Sequence, residues 1–226
     1  MTPSTHSLVR ARPCHVDADA PAVARGATCL NVVKHPSLVS ATERHTLLRQ
    51  QPATVWLTGL SGAGKSTLAY AVERRLHAQG HLGFVLDGDN IRHHLSSDLG
   101  FSPAERRENI RRVAEVAALM NDAGLIVFTA LISPRQEDRE QARSIIGDAR
   151  FIEVHVSTAL AVCEARDPKG LYEKARAGAI PHFTGVSAPY ETPQSPALRI
   201  DTDLHSPDQS AEKLMDFLVG RCAIVS

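Results

Sequence analysis

Gly59-Leu60-Ser61-Gly62-Ala63-Gly64-Lys65-Ser66-Thr67 decides the fold. It sets Gly59, Gly64, Lys65 and Ser66 at the spacing GxxxxGK[ST]. The run before it, TVWLT (54–58), has the β-branched and aromatic content of a buried strand. After it Leu68, Val72 and Leu76 recur every four residues, the stripe of a helix that Gly80 stops. Strand, glycine turn and helix in that order form a phosphate grip. Glycines let main-chain N–H groups converge on phosphate oxygens without a Cβ in the way. The helix N-terminus adds partial positive charge. Lys65 reaches the β- and γ-phosphates, the Ser66 hydroxyl ligates Mg²⁺, and Thr67 can support either role. Residues 59–67 are therefore expected to hold a nucleoside triphosphate. The alternative is a chance glycine turn, and the agreement of strand, loop and helix argues against it.

The same alternation continues outward. Further strands are expected at GFVLD (83–87), LIVFTAL (125–131), FIEVHV (151–156) and LRIDT (198–202). Between them fall amphipathic helices. One opens at Ser102-Pro103-Ala104-Glu105, a capping box with proline at the first helical position, and buries Ile110, Val113, Ala117 and Met120. Another opens at Ser133-Pro134-Arg135-Gln136, with Ser133 as its cap, and the last at Ser206-Pro207-Asp208-Gln209. Strands alternating with helices define an α/β, P-loop-type three-layer sandwich: a five-stranded parallel sheet with helices on both faces. Residues 167–197 form a long, charged, glycine-bounded stretch and read as a lid. Residues 1–28, rich in Ala, Pro, Thr and Ser without a hydrophobic period, read as a mobile tail. Residues 29–52 carry Leu30, Val32, Val33, Leu47 and Leu48 and read as an extension packed on the P-loop unit, residues 53–226.

Composition narrows the function classes. The 226 residues hold 25 Lys plus Arg and 25 Asp plus Glu. Zero formal charge argues against a dedicated nucleic-acid or anionic-membrane binder. No apolar run approaches the roughly 18 residues of a membrane span. Cys14, Cys29, Cys163 and Cys222 are scattered without metal-ligand spacing, so a zinc site or disulfide scaffold is not expected, and free thiols fit the cytoplasm. A GTPase would need an NKxD-type base-reading motif, and none exists; the DxxG match at Asp167–Gly170 follows the fourth strand, the wrong place for a switch.

Strand two ends in Leu86-Asp87-Gly88-Asp89-Asn90. In an open parallel sheet ligands bind beyond the carboxyl ends of the strands, which sets Asp87 beside the glycine loop. An acid there can help hold Mg²⁺ or take a proton from an acceptor hydroxyl; the bland reading is a turn-forming Asp-Gly. Downstream, Arg92, Arg106, Arg107, Arg111 and Arg112 concentrate in one stretch. They read either as a solvated helix face, given Glu105, Glu108 and Glu115, or as a pocket for a polyanion, which the arginine fork suits. Arg92, after the strand-two turn, and Arg106, at the helix start, are the better pocket residues. Phe101 reads as a hydrophobic staple or as a platform for a base.

These motifs resemble the adenylylsulfate kinases, which phosphorylate the 3′-hydroxyl of adenosine 5′-phosphosulfate. The matching runs are WLTGLSGAGKST (56–67), LDGDNIRHHLSSDLGFS (86–102), ENIRRVAEVAALM (108–120), DAGLIVFTALISP (122–134), CEARDPKGLYEKARAG (163–178) and FTG (183–185). The loop alone is shared with many kinases; LDGDNIR, RRENIRR, ISP and DPKGLY are far more specific. The resemblance implies an acidic Asp87, with Asp89 beside it, near the attacking hydroxyl and the metal. It implies that Arg92, Arg106 and Asn109 hold the acceptor, that Phe101 and Phe183 sandwich its adenine, and that Ile132, Ser133 and Pro134 line its pocket. Lys169 would reach it from the lid. Ser133 is often labelled a phosphoserine intermediate in this family; a positioning role fits better, because direct in-line transfer needs no covalent step. A homodimer and a functional link to ATP sulfurylase are also implied. Departures are Arg135 and Gln136 after ISP, and His94 where glycine is frequent. The alternatives are another small-molecule kinase of the same fold and a non-catalytic ATP-binding module.

Overall fold

A computed structural model describes residues 33 and 35–222. The tail expected over residues 1–28 and the cluster Leu30–Val32 lie outside the described residues. Five strands form one parallel sheet: β1 (Thr54–Thr58), β2 (Gly83–Asp87), β3 (Ile126–Ala130), β4 (Phe151–Ser157) and β5 (Leu198–Asp201), in the order β2-β3-β1-β4-β5. All five expected strands are present. β3 is shorter by one residue at each end, β4 runs one residue further, and β5 stops at Asp201.

Side-chain alternation divides the core between the two faces of the sheet. Val55 and Leu57 of β1, Ile126 and Phe128 of β3, and Ile152 and Val154 of β4 share one cluster. It is closed by Leu68, Val72 and Leu76 of α2 (Lys65–Ala78) and by Leu214 and Leu218 of α8 (Pro207–Arg221). Trp56, Val127 and Phe151 point the other way. There they meet Ile110, Val113 and Ala117 of α4 (Pro103–Asp122), and Ala142 and Ile146 of α5 (Gln136–Ile146). β2 is an edge strand. Its Val85 N–H, turned away from β3, donates to Glu73 Oε1 of α2 at 3.1 Å.

Ser102 and Ser206 cap α4 and α8 with complete capping boxes, as their sequences predict. Ser133 does not cap α5. That helix begins three residues later, its N-cap is Arg135, and the Arg135 side chain makes no capping bond. Ser133 instead sits in a bend with φ +38, its side chain turned under the sheet. Three short helices were not expected: α1 (Ala41–Leu48), α3 (Gly88–His93) and α6 (Leu160–Arg166). The first buries none of its residues, and Leu47 is 82% exposed. The chain after it is held tightly. Gln50 is buried, donates to the carbonyls of Leu82 and Gly124 at 2.9 Å, and accepts from Leu82 N.

The stretch read as a lid contains α7 (Leu171–Arg176). Asp167 starts that helix, its carboxylate accepting from the N–H groups of Leu171, Tyr172 and Glu173. The return limb is stitched to the turn after β3. Glu191 N donates to Pro134 O at 2.8 Å, and Glu191 Oε2 accepts from Gln136 N at 2.7 Å. Among the described residues no helix is long and apolar enough to cross a membrane.

Candidate active site

The glycine loop follows β1 at the carboxyl edge of the sheet, where strand ends leave main-chain groups free. A Cβ at Gly59 would come within 2.4 Å of Val156 O on neighbouring β4, so only glycine lets the two backbones approach. Gly64 caps α2 with φ +94, a conformation that aims the first amides of the helix into the loop. Lys65 is buried and donates to Gly59 O at 3.0 Å and Leu60 O at 2.7 Å. Burial pushes its ammonium down to about 8; Lys169 adds to this, while Cys163, Asp87 and Asp89 pull the other way. Ser66 Oγ donates to Asp87 Oδ2 at 2.5 Å. The other carboxylate oxygen, Oδ1, accepts from Asp89 N at 3.0 Å and Asn90 N at 3.4 Å, so Asp87 is also the N-cap of α3. Asp87 is thus both the expected turn former and an acid facing the loop.

One cavity of about 1250 Å³ joins this loop to the ends of β2 and β3. Ser61, Gly62, Gly64, Lys65, Ser66 and Thr67 line one end. Gly59, Leu60 and Ala63 do not; their carbonyls instead hold Lys65, Thr158 and Thr202. All the residues expected to hold an acceptor line the same cavity: Asp87, Asp89, Arg92, Phe101, Arg106, Asn109, Ile132, Ser133, Pro134, Lys169 and Phe183.

The arginine segment divides sharply. Arg107 pairs with Glu137 at 2.7 Å and Asp138 at 3.0 Å. Arg111 pairs with Glu108 and Glu115, and Arg112 with Asp98 and Glu108. These three are the solvated face and the cross-link to α5. Arg92 and Arg106 have no carboxylate at ion-pair distance among the described residues. Arg92 donates to Leu99 O and Gly100 O and lies over the Phe101 ring at 4.2 Å. Arg106 donates to Phe101 O and to His182 O of the lid, and its guanidinium is 5.7 Å from the same ring. Phe101 is therefore packed by cations, not stapled to an apolar partner, and it is 60% exposed. Burial lowers the pKa of both guanidinium groups, and for Arg106 the Arg92 charge adds to it. Phe183 is buried edge-on against Tyr172. Lys169 of the lid pairs with Asp89 of α3.

Ser133 is buried, and its hydroxyl accepts from Trp56 Nε1 at 3.1 Å. Sequence reasoning missed Arg166, Thr202, His205 and Ser210, which line the loop end of the cavity. Arg166 donates to Thr202 O at 2.7 Å and to Gly62 O at 3.4 Å, also without a carboxylate partner among the described residues. The one signal for it was its place just before the DPKG turn. The Ser210 hydroxyl is buried with no hydrogen-bond partner among the described residues. Ser66 and Asp87 supply the hard oxygen donors that Mg²⁺ prefers, and one or two protein oxygens suffice where phosphates and waters complete the shell.

A parallel sheet with this loop, lysine and facing acid defines a P-loop phosphotransferase. The family model described as adenylylsulphate kinase matches residues 51–201. The chain belongs to that family. It is 55% identical over 192 residues to the adenylyl-sulfate kinase of Vibrio cholerae, covering 85% of this chain and 86% of that one. It is 58% identical over 171 residues to that of Citrobacter koseri, covering 76% and 85%. Among solved structures, the APS kinase of Mycobacterium tuberculosis in complex with AMPPNP and APS superposes with a TM-score of 0.72 at 51% identity, covering 75% of this chain and 98% of that one.

Proposed function

We propose that this chain transfers the γ-phosphoryl group of ATP to the 3′-hydroxyl of adenosine 5′-phosphosulfate, giving ADP and 3′-phosphoadenosine 5′-phosphosulfate. The observation that carries the reading is one cavity with cationic groups at each of its two ends: a glycine loop with buried Lys65, and Arg92 with Arg106 around Phe101, both free of carboxylate partners among the described residues. Family membership and the M. tuberculosis complex with AMPPNP and APS support it.

Residues 59–67 grip the triphosphate of the donor, with Lys65 on the β- and γ-phosphates. Arg92, Arg106 and Asn109 take the phosphosulfate end of the acceptor, because a guanidinium fork bonds two anionic oxygens at once. Phe101 and Phe183 contact its adenine, and Lys169 reaches it from the lid once drawn off Asp89. Asp87 orients the 3′-hydroxyl and accepts its proton as the oxygen attacks the γ-phosphorus and the bond to the bridging oxygen of ADP breaks. Ser66 and Asp87 would hold Mg²⁺, which when bound neutralises charge on the transferring group. Ser133, its hydroxyl held by Trp56, positions the pocket and carries no covalent intermediate. The kinase unit spans 53–226, works as a homodimer in the cytoplasm, and is functionally linked to ATP sulfurylase.

The test is coupled ADP release with adenylylsulfate, shikimate and gluconate offered separately. Turnover with adenylylsulfate alone is expected. Turnover only with a non-nucleotide acceptor, or ATP binding without acceptor-dependent ADP, would overturn the proposal.

A further inference from the structure

The turn Ile132–Pro134 walls the acceptor end of the cavity, and it is strained. Ser133 is a non-glycine residue at φ +38, a conformation that costs about 1–3 kcal/mol unless the surroundings impose it. Buried donors do impose it. Arg139 of α5, itself 2% exposed, donates from Nη1 to Ser133 O at 2.9 Å. Its Nε donates to Glu153 Oε1 of β4 at 2.7 Å, and Arg143 approaches the other oxygen of that carboxylate at 3.7 Å. From the other side Thr58 Oγ1 bonds Ile132 O at 2.8 Å and Ser133 O at 3.3 Å, and the Tyr190 hydroxyl meets Thr58 Oγ1 at 3.0 Å. Trp56 Nε1 holds the Ser133 side chain. A buried arginine is expensive to desolvate and its N–H donors beyond the ion pair need acceptors; here one of those acceptors is the carbonyl of the strained turn.

We propose that Arg139, oriented by Glu153, is a positioning residue for phosphoryl transfer: through the Ser133 carbonyl it locks the strained turn against which the acceptor nucleotide is seated. Arg139 does not line the cavity and so acts only through this turn. The inference rests on the acceptor assignment above. A lysine at 139 keeps the charge but cannot span Glu153 and Ser133 with two fixed donors.

Trp56 is the only tryptophan in the chain, so intrinsic emission reports on the hydrogen bond to Ser133. Arg139→Lys is expected to shift the Trp56 emission spectrum, raise KM for adenylylsulfate and lower kcat together by roughly 10–10²-fold, and leave KM for ATP within about twofold. Thr58→Val removes the second donor to the Ser133 carbonyl, and the one to Ile132 O, without touching the ion pair, and is expected to act in the same direction with a smaller effect. If Arg139→Lys does not fold, Thr58→Val decides by the same readouts. Lower thermal stability with wild-type emission and wild-type acceptor kinetics is the result of a purely structural ion pair and overturns the proposal. Wild-type protein without adenylylsulfate-dependent ADP release would overturn the functional reading instead, and the emission spectra would still decide the role of Arg139 at the turn.

Discussion

Arg106 and Arg107 are neighbours in the chain and opposites in circumstance. Arg107 reaches across to α5 and is neutralised by Glu137 and Asp138. Arg106, one residue earlier, bonds only carbonyl oxygens and shares the Phe101 ring with Arg92. The same division holds more widely. On the cavity wall Lys65, Arg92, Arg106 and Arg166 bond carbonyls, or in the case of Arg166 also a threonine hydroxyl, while Lys169 of the lid is the exception, paired with the Asp89 carboxylate. On the outer face of α4, Arg111 and Arg112 bond carboxylates. A cation held by carbonyls keeps its full charge for an incoming anion, whereas one held by carboxylates has already spent it locally.

The largest effect that could break this contrast is at Lys65. Lys65→Ala is expected to lower kcat by at least 10²–10³-fold, the loss of roughly 3–4 kcal/mol of transition-state stabilisation, in protein that still folds. Near-normal turnover would remove the phosphate grip from the mechanism. Next comes Arg106→Ala, expected to raise KM for adenylylsulfate about 10–10²-fold with KM for ATP unchanged, since a charged hydrogen bond contributes about 1.5–3 kcal/mol. Equal losses for both substrates would show that Arg106 shapes the whole cavity and not its acceptor end.

A third test uses pH. Burial pushes Lys65 down to about 8, so its charge and its hold on phosphate are present below that pH and fade above it. ATP affinity of the free protein is expected to fall as pH rises from 8 to 9.5, and Lys65→Ala should be flat across the range. The linkage to stability has the opposite sign. Between about 8 and the ordinary lysine value of 10.5 the unfolded chain binds more protons, so the cost of burying this charge disappears as pH rises through that window.

The smallest effects belong to the paired arginines. Arg111→Ala should leave both KM values within about twofold and cost under ~1 kcal/mol of stability, because Arg111 and its partners all keep a third or more of their side chains in solvent. Glu108, bonded by Arg111 and Arg112, is held down at about 2. Its contribution is present above the ordinary 4.5 and lost as pH falls toward 2; Glu108→Gln is expected to flatten acid unfolding over that window by no more than ~1 kcal/mol. A tenfold change in acceptor KM for Arg111→Ala would dissolve the contrast between the two faces.

Most of the fold was legible because long apolar runs and proline-marked caps speak locally. TVWLT and GFVLD became strands residue for residue, and Ser102 and Ser206 capped as written. Ser133-Pro134 misled because the same letters that start a helix can also make a bend. Trp56, 77 residues away in the chain, and Arg139, on the following helix, decided between them. The short helix α1 carries no buried stripe and so left no periodic signal. In the site, the residues carried by specific motifs came together in one cavity. Arg166 and Ser210 escaped because their place depends on where β5 brings Thr202 against the loop. The sorting of the arginines was legible in part: Arg92 and Arg106 stood out by their places after the strand-two turn and at the helix start, and Glu108 and Glu115 lie within a turn of Arg111 and Arg112, whereas the pairs of Arg107 with Glu137 and Asp138 depend on how two helices pack.

One contact far from the chemistry bears on how the molecule behaves in crowded solution. With Val85 N–H occupied by the Glu73 carboxylate, the rim of the sheet at β2 offers a stranger's backbone less to grasp, although Phe84 and Leu82 stand exposed on it. Glu73→Ala is therefore expected to be felt first in solubility, read by light scattering, and only later, if at all, in turnover.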